Sequence, residues 1–530
     1  MGDSIVTVKQ GKLRGVVEQS VLGPSYIAFR GIPFAAPPVG KLRFKDPEPP
    51  ASWSGIRDTS INVGDMALQI DEVPPNNIVG DEDCLYLSVY TTSVANPKPV
   101  MFWIHGGAFT VGTGRDIYKK PDYLITKDIV LVSTNYRLGA FGFLNLGHEI
   151  ANGNQALKDL IMALKWVKEN IANFGGDPNN VTIFGNSAGG GLVHALTVSP
   201  CTKGLFHKAI MQSGVLTCPW ALNECTPKRA FRLASLLGKD STDPKEVFEF
   251  LQSLPAKKII AMQPHILSRG SNIAFNIITD DKSKNPVFPK PVEQLMKEAP
   301  EIPIMLGYSS HEYIMFLRGE YLFIFLHFNN TMLDVAKSLL PFTNLKDSEV
   351  PEFLERVKKW YFDGKPIDKS HVASYIDFAS DVFFIIPTKV LANDLGNQGK
   401  APVYLFQFSY IGNEPTVTDR LVKERALQGA THADEVSYLY FVNFNKKEER
   451  PASTINQKDK VVIERLTRLW TNFAKTGNPT PSVDECIGTI WKPVTRDDFQ
   501  YLDIGDDLKM LKVEPTVLDC QRLSNLIRGN

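Results

Sequence analysis

A serine that could act as a nucleophile stands in the sequence Gly185-Asn186-Ser187-Ala188-Gly189. The apolar residues before it are typical of a strand, and the segment after it has the character of a helix. A G-x-S-x-G sequence in this context forms a sharp strand-to-helix turn, where the serine Oγ projects from the sheet and the next N–H points at the reaction centre. The pattern occurs by chance in long chains, so its context and its partners elsewhere decide the interpretation. We predict that Ser187 is a nucleophile.

A nucleophilic serine needs a general base, and the base needs a carboxylate that orients it. In sheets with this turn, the acid and then the histidine follow the serine, each in a loop after a strand. Glu312 lies just past the apolar residues 304–307, and His432 lies in a loop of small residues after residues 403–408. A surface glutamate and a solvated histidine are the simpler interpretations of each residue alone. Their order after the serine favours a Ser187, Glu312 and His432 triad.

A glycine-rich segment could stabilise negative charge on the substrate. His105-Gly106-Gly107-Ala108 follows the continuous apolar run of residues 100–104 directly. Glycines at that place allow the backbone to approach a substrate and turn its N–H groups inward. The N–H groups of Gly107, Ala108 and Ala188 are therefore candidates for an oxyanion hole, where losing one donor typically costs about 10²–10³ in rate. A glycine turn without a role in catalysis is the alternative.

Strand and helix patterns alternate around these residues. Helical periodicity covers residues 154–174, where Leu157, Leu160 and Leu164 share one face. Besides the strand that ends at the serine, we predict strands up to about residue 43 and at residues 86–90, 100–104, 129–133, 208–212, 304–307 and 403–408, with a last helix at residues 461–476. This alternation is typical of an α/β fold with a large, mostly parallel central sheet flanked by helices. We expect residues 1–530 to form one domain, with helical cap insertions at residues 227–294 and 316–388.

Composition restricts the class of protein. Of the 530 residues 43% are hydrophobic and 22% charged, and the 58 basic residues equal the 58 acidic residues. A net charge of zero argues against a nucleic-acid partner, because phosphate binding relies on a basic surface. No apolar run approaches the ~18 residues of a membrane span. No cysteine pair has the spacing of a metal site, and neither a metal nor an organic cofactor is implied.

Localisation follows from the first residues and from the cysteines. Met1 to Val8 contains no basic region followed by an apolar stretch, so that no signal peptide is predicted. The six cysteines are scattered, which favours reduced thiols in a cytoplasmic protein. Cys218 and Cys225 are nevertheless close enough in sequence to form one disulfide. A secreted mature form would lack a signal peptide in the same way.

Longer motifs show that the chain resembles the carboxylesterase/cholinesterase family, the type B carboxylesterases of the α/β-hydrolase fold. The resemblance covers nearly the whole length. Its motifs are Phe29-Arg-Gly-Ile-Pro33, Pro37-Pro-Val-Gly-Lys-Leu-Arg-Phe44, Glu82-Asp-Cys-Leu-Tyr-Leu87, Asn135-Tyr-Arg-Leu-Gly139, Asn170-Ile-Ala-Asn-Phe-Gly-Gly-Asp-Pro178, Phe184-Gly-Asn-Ser-Ala-Gly-Gly190, Gln212-Ser-Gly214, His432-Ala-Asp-Glu435 and Trp470-Thr-Asn-Phe-Ala-Lys-Thr-Gly-Asn-Pro479.

The resemblance implies the same roles as the residue-level argument: Ser187 as nucleophile, Glu312 as acid and His432 as base, with the same three oxyanion donors. It also implies a serine near the triad at Ser213 and a wall of the acyl pocket at Trp220. Together with Phe316, Phe325 and Phe441, this tryptophan favours hydrophobic small-molecule esters as substrates. Organophosphates and carbamates are the expected inhibitors.

Four departures from the family pattern are informative. Asn186 stands where the family usually has glutamate, which removes a negative charge near the base. Ala108 replaces a common third glycine and adds a methyl group at the oxyanion hole. The family's first disulfide would use Cys84, but the partner position is Met66, so that the loop is expected to be unbridged. The loop also lacks the tryptophan with which cholinesterases hold a quaternary ammonium. These features resemble the intracellular carboxylesterases of insects.

The implied activity is hydrolysis of hydrophobic carboxylic esters through a covalent acyl-enzyme, with a role in detoxification or lipid-ester metabolism. One alternative is a protein that is acylated quickly and turned over slowly, and so sequesters toxic esters or organophosphates. A second is a catalytically inactive, cholinesterase-like binding protein, although such proteins generally lose a triad residue and this chain keeps all three.

Overall fold

The computed structural model describes residues 4–61, 64–71, 75–222, 227–266, 273–298, 301–317, 348, 350–365, 369–422, 427–444 and 450–513. These residues form nineteen strands. In chain order, β1 to β19 are Ser4–Val8, Gly11–Gln19, Ser25–Pro33, Ile56–Asp58, Gln69–Ile70, Ile78–Val79, Tyr86–Thr91, Lys98–Ile104, Lys119–Lys120, Val130–Thr134, Asn145–His148, Ala151–Asn152, Gly176–Asn186, Lys208–Gln212, Ile304–Ser309, Val403–Phe408, Phe441–Val442, Gln500–Ile504 and Leu508–Lys512.

Thirteen of these strands form one sheet. Its order is β1-β2-β3-β7-β10-β8-β13-β14-β15-β16-β18-β19, and β4 pairs with β2. Every pair from β10 to β18 is parallel, whereas the strands on this path toward both edges pair antiparallel. The predicted large, mostly parallel sheet is therefore confirmed, and the carboxyl ends of its central strands meet at one edge.

The sequence of β8 explains why both faces of the sheet are covered. Successive side chains of a strand point to opposite faces, and Val100, Phe102 and Ile104 belong to one buried cluster. Met101 and Trp103 belong to a second cluster on the other face. A continuous apolar run is thus the pattern of a parallel strand with helices on both sides.

The described residues form twelve α-helices. In chain order, α1 to α12 are Gly139–Phe143, Gln155–Asn170, Ala188–Val198, Pro227–Leu236, Pro244–Ser253, Ala256–Met262, Val292–Lys297, Val350–Tyr361, Val372–Ser380, Ile386–Gln398, Val417–Leu421 and Gln457–Thr476. A π-helical turn at Asp381–Ile385 joins α9 to α10. Apolar residues of α2 and α3 lie in the first cluster, and those of α12 lie in the second.

Most predicted elements are present, with differences at their ends. The predicted helix at residues 154–174 is α2 followed by a 3₁₀ turn at Ile171–Phe174. The last helix begins at Gln457, four residues before the predicted start, because the Asn456 side chain caps it by accepting a hydrogen bond from the Asp459 N–H at 2.8 Å. The hairpin of β18 and β19 was not predicted.

The expected cap regions contain helices where they are described. Helices α4 to α7 lie within residues 227–297, and α8 and α9 lie in the second insertion, whose last residues begin α10; residues 318–347, including Phe325, lie outside the described residues. Within the described part of the chain, no helix is both long and apolar enough to cross a membrane. Cys84 is a buried free thiol, as its missing partner predicted. The suggested bridge between Cys218 and Cys225 falls on residue 225, which is not described.

Candidate active site

Ser187 occupies a strained turn between β13 and α3. Its φ and ψ are +59° and −127°, values that a non-glycine residue rarely adopts. The Ser187 N–H donates to the Gln212 carbonyl at 2.8 Å, and the Ser187 carbonyl accepts from the Gly191 N–H at 3.0 Å. These bonds fix the turn at the carboxyl edge of the sheet, where parallel α/β sheets place their sites.

Gly189 allows this turn to lie against strand β8. A Cβ atom on Gly189 would lie 2.1 Å from the Ile104 carbonyl oxygen and 2.8 Å from that of His105. No side chain fits in that space. The small residues of the motif therefore bring the serine next to the glycine-rich loop that follows β8.

His432 and Glu312 form a buried pair. His432 Nδ1 lies 2.5 Å from Glu312 Oε2, and both side chains are at most 2% exposed. The Ser309 N–H donates to Glu312 Oε1 at 2.7 Å, which fixes the carboxylate at the end of β15. His432 Nε2 has no hydrogen-bond partner among the described residues. With Nδ1 held by the carboxylate, Nε2 is the nitrogen available to accept a proton.

Two aromatic rings enclose the imidazole. The ring centroids of Phe384 and Phe316 lie 4.7 and 5.3 Å from that of His432. Phe384 belongs to the π-helical turn between α9 and α10, a local irregularity that is frequent at functional sites. The pair is thus shielded from water on the side of the second insertion.

The predicted oxyanion donors lie in a loop with unusual backbone angles. Gly107, Ala108 and Phe109 have φ values of +115°, +51° and +60°. A Cβ on Gly107 would lie 2.0 Å from the Val111 carbonyl oxygen, so that this position requires glycine. The N–H groups of Gly107, Ala108 and Ala188 donate to no acceptor within the described residues. Gly107 and Ala108 line the cavity beside the nucleophile, whereas Ala188, the first residue of α3, is buried and is not among its lining residues.

A cavity of about 240 Å³ adjoins the nucleophile, the base and two of the predicted oxyanion donors. It is lined by Ser187, His432, Gly107 and Ala108. His105 also lines it, but burial lowers the pKa of this histidine to about 3, and its ring stacks on Tyr136 at 4.4 Å. His105 is therefore a poor proton acceptor, which favours His432 as the base.

Glu435, the last residue of the motif His432-Ala-Asp-Glu435, is a buried carboxylate for which the sequence predicted no role. Its Oε1 accepts hydrogen bonds from Asn186 Nδ2 at 2.8 Å and from Gln212 Nε2 at 2.9 Å. Trp470 Nε1 in turn donates to Gln212 Oε1 at 3.1 Å. Burial raises the pKa of Glu435 to about 7; the Gln212 hydrogen bond lowers it, the charge of Glu312 raises it further, and His432 lowers it. The carboxyl and amide side chains around the triad thus form one network.

The remaining predicted site residues have different environments. Asn186 does not contact the base in any described hydrogen bond but holds Glu435. Ser213 is buried with φ +51°, and its N–H donates to the Gly307 carbonyl at 2.8 Å. Trp220 Nε1 donates to the Phe383 carbonyl, and its ring lies 5.8 Å from that of Phe384, one ring removed from the imidazole. Trp220 does not line the cavity beside Ser187, and its role in an acyl pocket stays a prediction.

The prediction for Phe441 was wrong. This residue lies in the short strand β17 beside Lys120, and its ring packs on Tyr123 at 5.8 Å and under Arg450 at 4.9 Å. It does not line the cavity. An aromatic residue a few positions after His432 is equally suited to the second core cluster, and the sequence pattern could not separate the two environments.

The sequence argument also missed the charged lining of the cavity. Arg115, Lys119, Arg420 and Asp71 all contribute to its wall. Lys119 is placed there by β9, a strand of only two residues, which carries no readable periodicity. Among the described residues, no group of three His, Cys, Asp or Glu side chains is arranged to hold a metal ion.

Comparisons with known proteins agree with this geometry. The model of the carboxylesterase family matches residues 2–522. Esterase E4 from Myzus persicae is 33% identical over 94% of this chain and 91% of its own length. The juvenile hormone esterase from Tribolium castaneum is 34% identical over 90% and 84%. The crystal structure of juvenile hormone esterase from Manduca sexta, with OTFP covalently attached, superposes with a TM-score of 0.87 at 28% identity and covers 99% of both chains.

Proposed function

Because this chain belongs to the carboxylesterase family and is a carboxylic ester hydrolase, we propose that it is a serine carboxylesterase whose triad is Ser187, His432 and Glu312. The buried 2.5 Å contact between His432 Nδ1 and Glu312 Oε2, beside a cavity that Ser187 also lines, carries the proposal. A base oriented by a carboxylate next to a nucleophile is the arrangement that serine acyl transfer needs.

In the first half of the proposed reaction, the Ser187 Oγ attacks the carbonyl carbon of the ester while His432 Nε2 takes its proton. The electron pair of the carbonyl bond moves to oxygen, and the N–H groups of Gly107, Ala108 and Ala188 stabilise the resulting oxyanion. Glu312 stabilises the imidazolium. When the intermediate collapses, the bond to the alcohol oxygen breaks, and that oxygen takes the proton from His432 Nε2.

In the second half, water replaces the alcohol. His432 removes a proton from water as its oxygen attacks the acyl-enzyme, and the proton returns to Ser187 Oγ as the acid leaves. The covalent attachment of OTFP to the juvenile hormone esterase from Manduca sexta supports a covalent intermediate here.

The aromatic surroundings of the base support hydrophobic esters as substrates. Phe316 and Phe384 lie against His432, and Trp220 packs behind Phe384. An acyl chain that displaces water from these rings gains about 25 cal/mol for each Å² buried. The proposed inhibitors are organophosphates, which phosphylate such serines, and carbamates, which carbamoylate them.

We also propose a cytoplasmic location and a role in detoxification or in lipid-ester metabolism. The free thiols of Cys84, Cys201 and Cys486 support a reducing compartment. Titration of thiols in unfolded, unreduced protein from its native source should find most of the six cysteines reactive. A low count would contradict the cytoplasmic location.

Stopped-flow hydrolysis of p-nitrophenyl butyrate tests the proposed reaction. We expect sustained turnover after any burst, because His432 lines the same cavity as Ser187 and can there activate the water that attacks the acyl-enzyme. A burst equal to the enzyme concentration with almost no later turnover would favour a sequestering protein. Absence of both phases would contradict the proposed triad and favour an inactive binding protein.

A further inference from the structure

The wall of the catalytic cavity carries an excess of positive charge. Its charged lining residues, within the described part of the chain, are Arg115, Lys119, Arg420 and Asp71. Three are cations and one is an anion. Hydrophobic neutral esters need none of these charges, and the proposed reaction uses none of them.

Lys119 is the cation whose environment is least satisfied. Its side chain is only partly exposed, and no hydrogen-bond or ion-pair partner of Nζ is found among the described residues. Its Nζ lies 5.9 Å from the centroid of the Trp103 ring. Burial lowers the pKa of Lys119 to about 8, Glu435 raises it and Arg420 lowers it further. An anion bound in the cavity would reduce the repulsion between Lys119 and Arg420.

Glu435 does not neutralise Lys119 fully. Its Oε1 already accepts from Asn186 and Gln212, and its pKa of about 7 leaves it partly protonated near neutral pH. Asn186, which lies between Ser187 and this carboxyl, is itself uncharged and lines the cavity. The lining residue next to the nucleophile is therefore neutral and does not offset the charge of Lys119.

Arg420 is held in place and keeps N–H donors that no described residue uses. Its guanidinium lies 4.5 Å from the Tyr118 ring and 5.5 Å from the Phe444 ring, and its NH2 group contacts Asp71 Oδ1 at 3.3 Å. Within the described residues this is its one hydrogen bond. A guanidinium has five N–H donors in a planar fork that suits a carboxylate or phosphate. Stacking on two rings fixes the fork in place.

We propose that this cavity binds esters carrying a carboxylate or phosphate group, which Lys119 and Arg420 hold while Ser187 attacks the ester carbonyl. Arg115 lines the same cavity but is already paired with Asp65 at 3.0 Å, so that it is not one of the proposed anion contacts. The proposal rests on the proposed esterase function and names its substrate class: amphipathic esters with one apolar and one anionic part. A neutral ester of the same shape would form no charge-assisted hydrogen bond with Lys119 or Arg420.

Matched pairs of esters test the charge preference. The first pair is 3-(butanoyloxy)benzoate and 3-(butanoyloxy)benzamide, which places the charge on the alcohol part. The second is phenyl hydrogen adipate and its carboxamide, which places it on the acyl part. For at least one pair we expect kcat/KM to be about tenfold higher for the carboxylate, the order of one charge-assisted hydrogen bond. Equal or lower values for both carboxylates would overturn the inference.

Variants locate the preference within the cavity. In Lys119→Gln and Arg420→Gln the ratio of the two kcat/KM values should fall about tenfold, and the ratio is insensitive to general damage to the enzyme. Lys120→Gln is the control, because Lys120 is the next residue of β9, loses the same charge and does not line the cavity. It should keep the wild-type ratio.

Two further outcomes would have different consequences. A high ratio that neither cavity variant changes would place the anion elsewhere and overturn the inference. Failure of wild type to hydrolyse any of the four esters would contradict the proposed function instead. The corresponding phosphate ester, 3-(butanoyloxy)phenyl phosphate, distinguishes the two anions. A kcat/KM above that of 3-(butanoyloxy)benzoate would assign the cavity to phosphate, and a lower value would assign it to carboxylate.

Discussion

Replacing Glu435 by glutamine should remove a pH-dependent loss of stability. The carboxyl is 1% exposed, and its pKa is about 7 in the folded chain against an ordinary value of 4.5. Between these two pH values the folded chain holds the proton while the unfolded chain releases it. Stability therefore falls as the pH rises through this window. Glutamine has the same shape, keeps an oxygen that can accept from Asn186 and Gln212, and does not titrate.

The size of the effect follows from the two pKa values. At about 1.4 kcal/mol for each pH unit, Glu435 should cost the wild-type chain about 2–3 kcal/mol of stability between pH 5 and pH 8. Unfolding entropy of about 2.1 cal/mol/K per residue converts this to about 2 °C for 530 residues. The melting temperature of Glu435→Gln minus that of wild type should be higher at pH 8 than at pH 5 by this amount.

Differential scanning fluorimetry at one fixed scan rate measures this double difference. Burial also raises the pKa of Asp122 and Asp280 to about 6 each, but both carboxyls are present in both proteins, so that their slopes cancel. Repeating the comparison in a Lys119→Gln background removes the charge that Glu435 attracts. A difference that is the same at both pH values, or larger at pH 5, would refute the assignment of a buried, reluctantly ionised carboxyl.

Three other predictions concern the proposed triad and its turn. Glu312→Gln should lower kcat about 10³–10⁴-fold with little change in melting temperature, because an amide N–H facing Nδ1 favours the wrong tautomer of His432; a rate within tenfold of wild type would point to another acid. Ser187→Ala should abolish hydrolysis and melt within a few degrees of wild type, whereas retained turnover would exclude this nucleophile. Gly189→Ala should cost about 3 kcal/mol in urea unfolding, since its Cβ would lie 2.1 Å from a carbonyl oxygen; Gly191→Ala, whose nearest neighbour is at 3.5 Å, is the control and should change stability by less than about 1 kcal/mol.

The sequence was sufficient for the parts of the fold and site that depend on local pattern. Strands β8, β14 and β16 are apolar runs within a few residues of their predicted bounds, because burial on both faces requires such runs. The turn at Ser187 is encoded by neighbouring small residues. Glu312 and His432 were found because their order after the serine and their place after strands are consequences of the sheet topology.

Features that depend on contacts distant in sequence were not predictable. Asn186 and Glu435 are 249 positions apart, and nothing local indicates that one amide bridges the base loop to the nucleophile turn. Lys119 reaches the cavity through a two-residue strand that pairs with β17, so its neighbourhood is set by tertiary pairing. Phe441 shows the same limit, because an aromatic residue close to the base in sequence can belong to a hydrophobic core as well as to a substrate pocket.

Mass spectrometry of the protein after treatment with a dialkyl fluorophosphate tests the central claim, that Ser187 is the nucleophile of an esterase, most directly. We predict one dialkyl phosphate adduct per chain, on the peptide that contains Ser187, with loss of p-nitrophenyl butyrate hydrolysis in proportion to labelling. Ser187→Ala should remain unlabelled under the same conditions. An adduct on another residue that accounts for the lost activity, or full labelling of Ser187 with hydrolysis unaffected, would contradict the account.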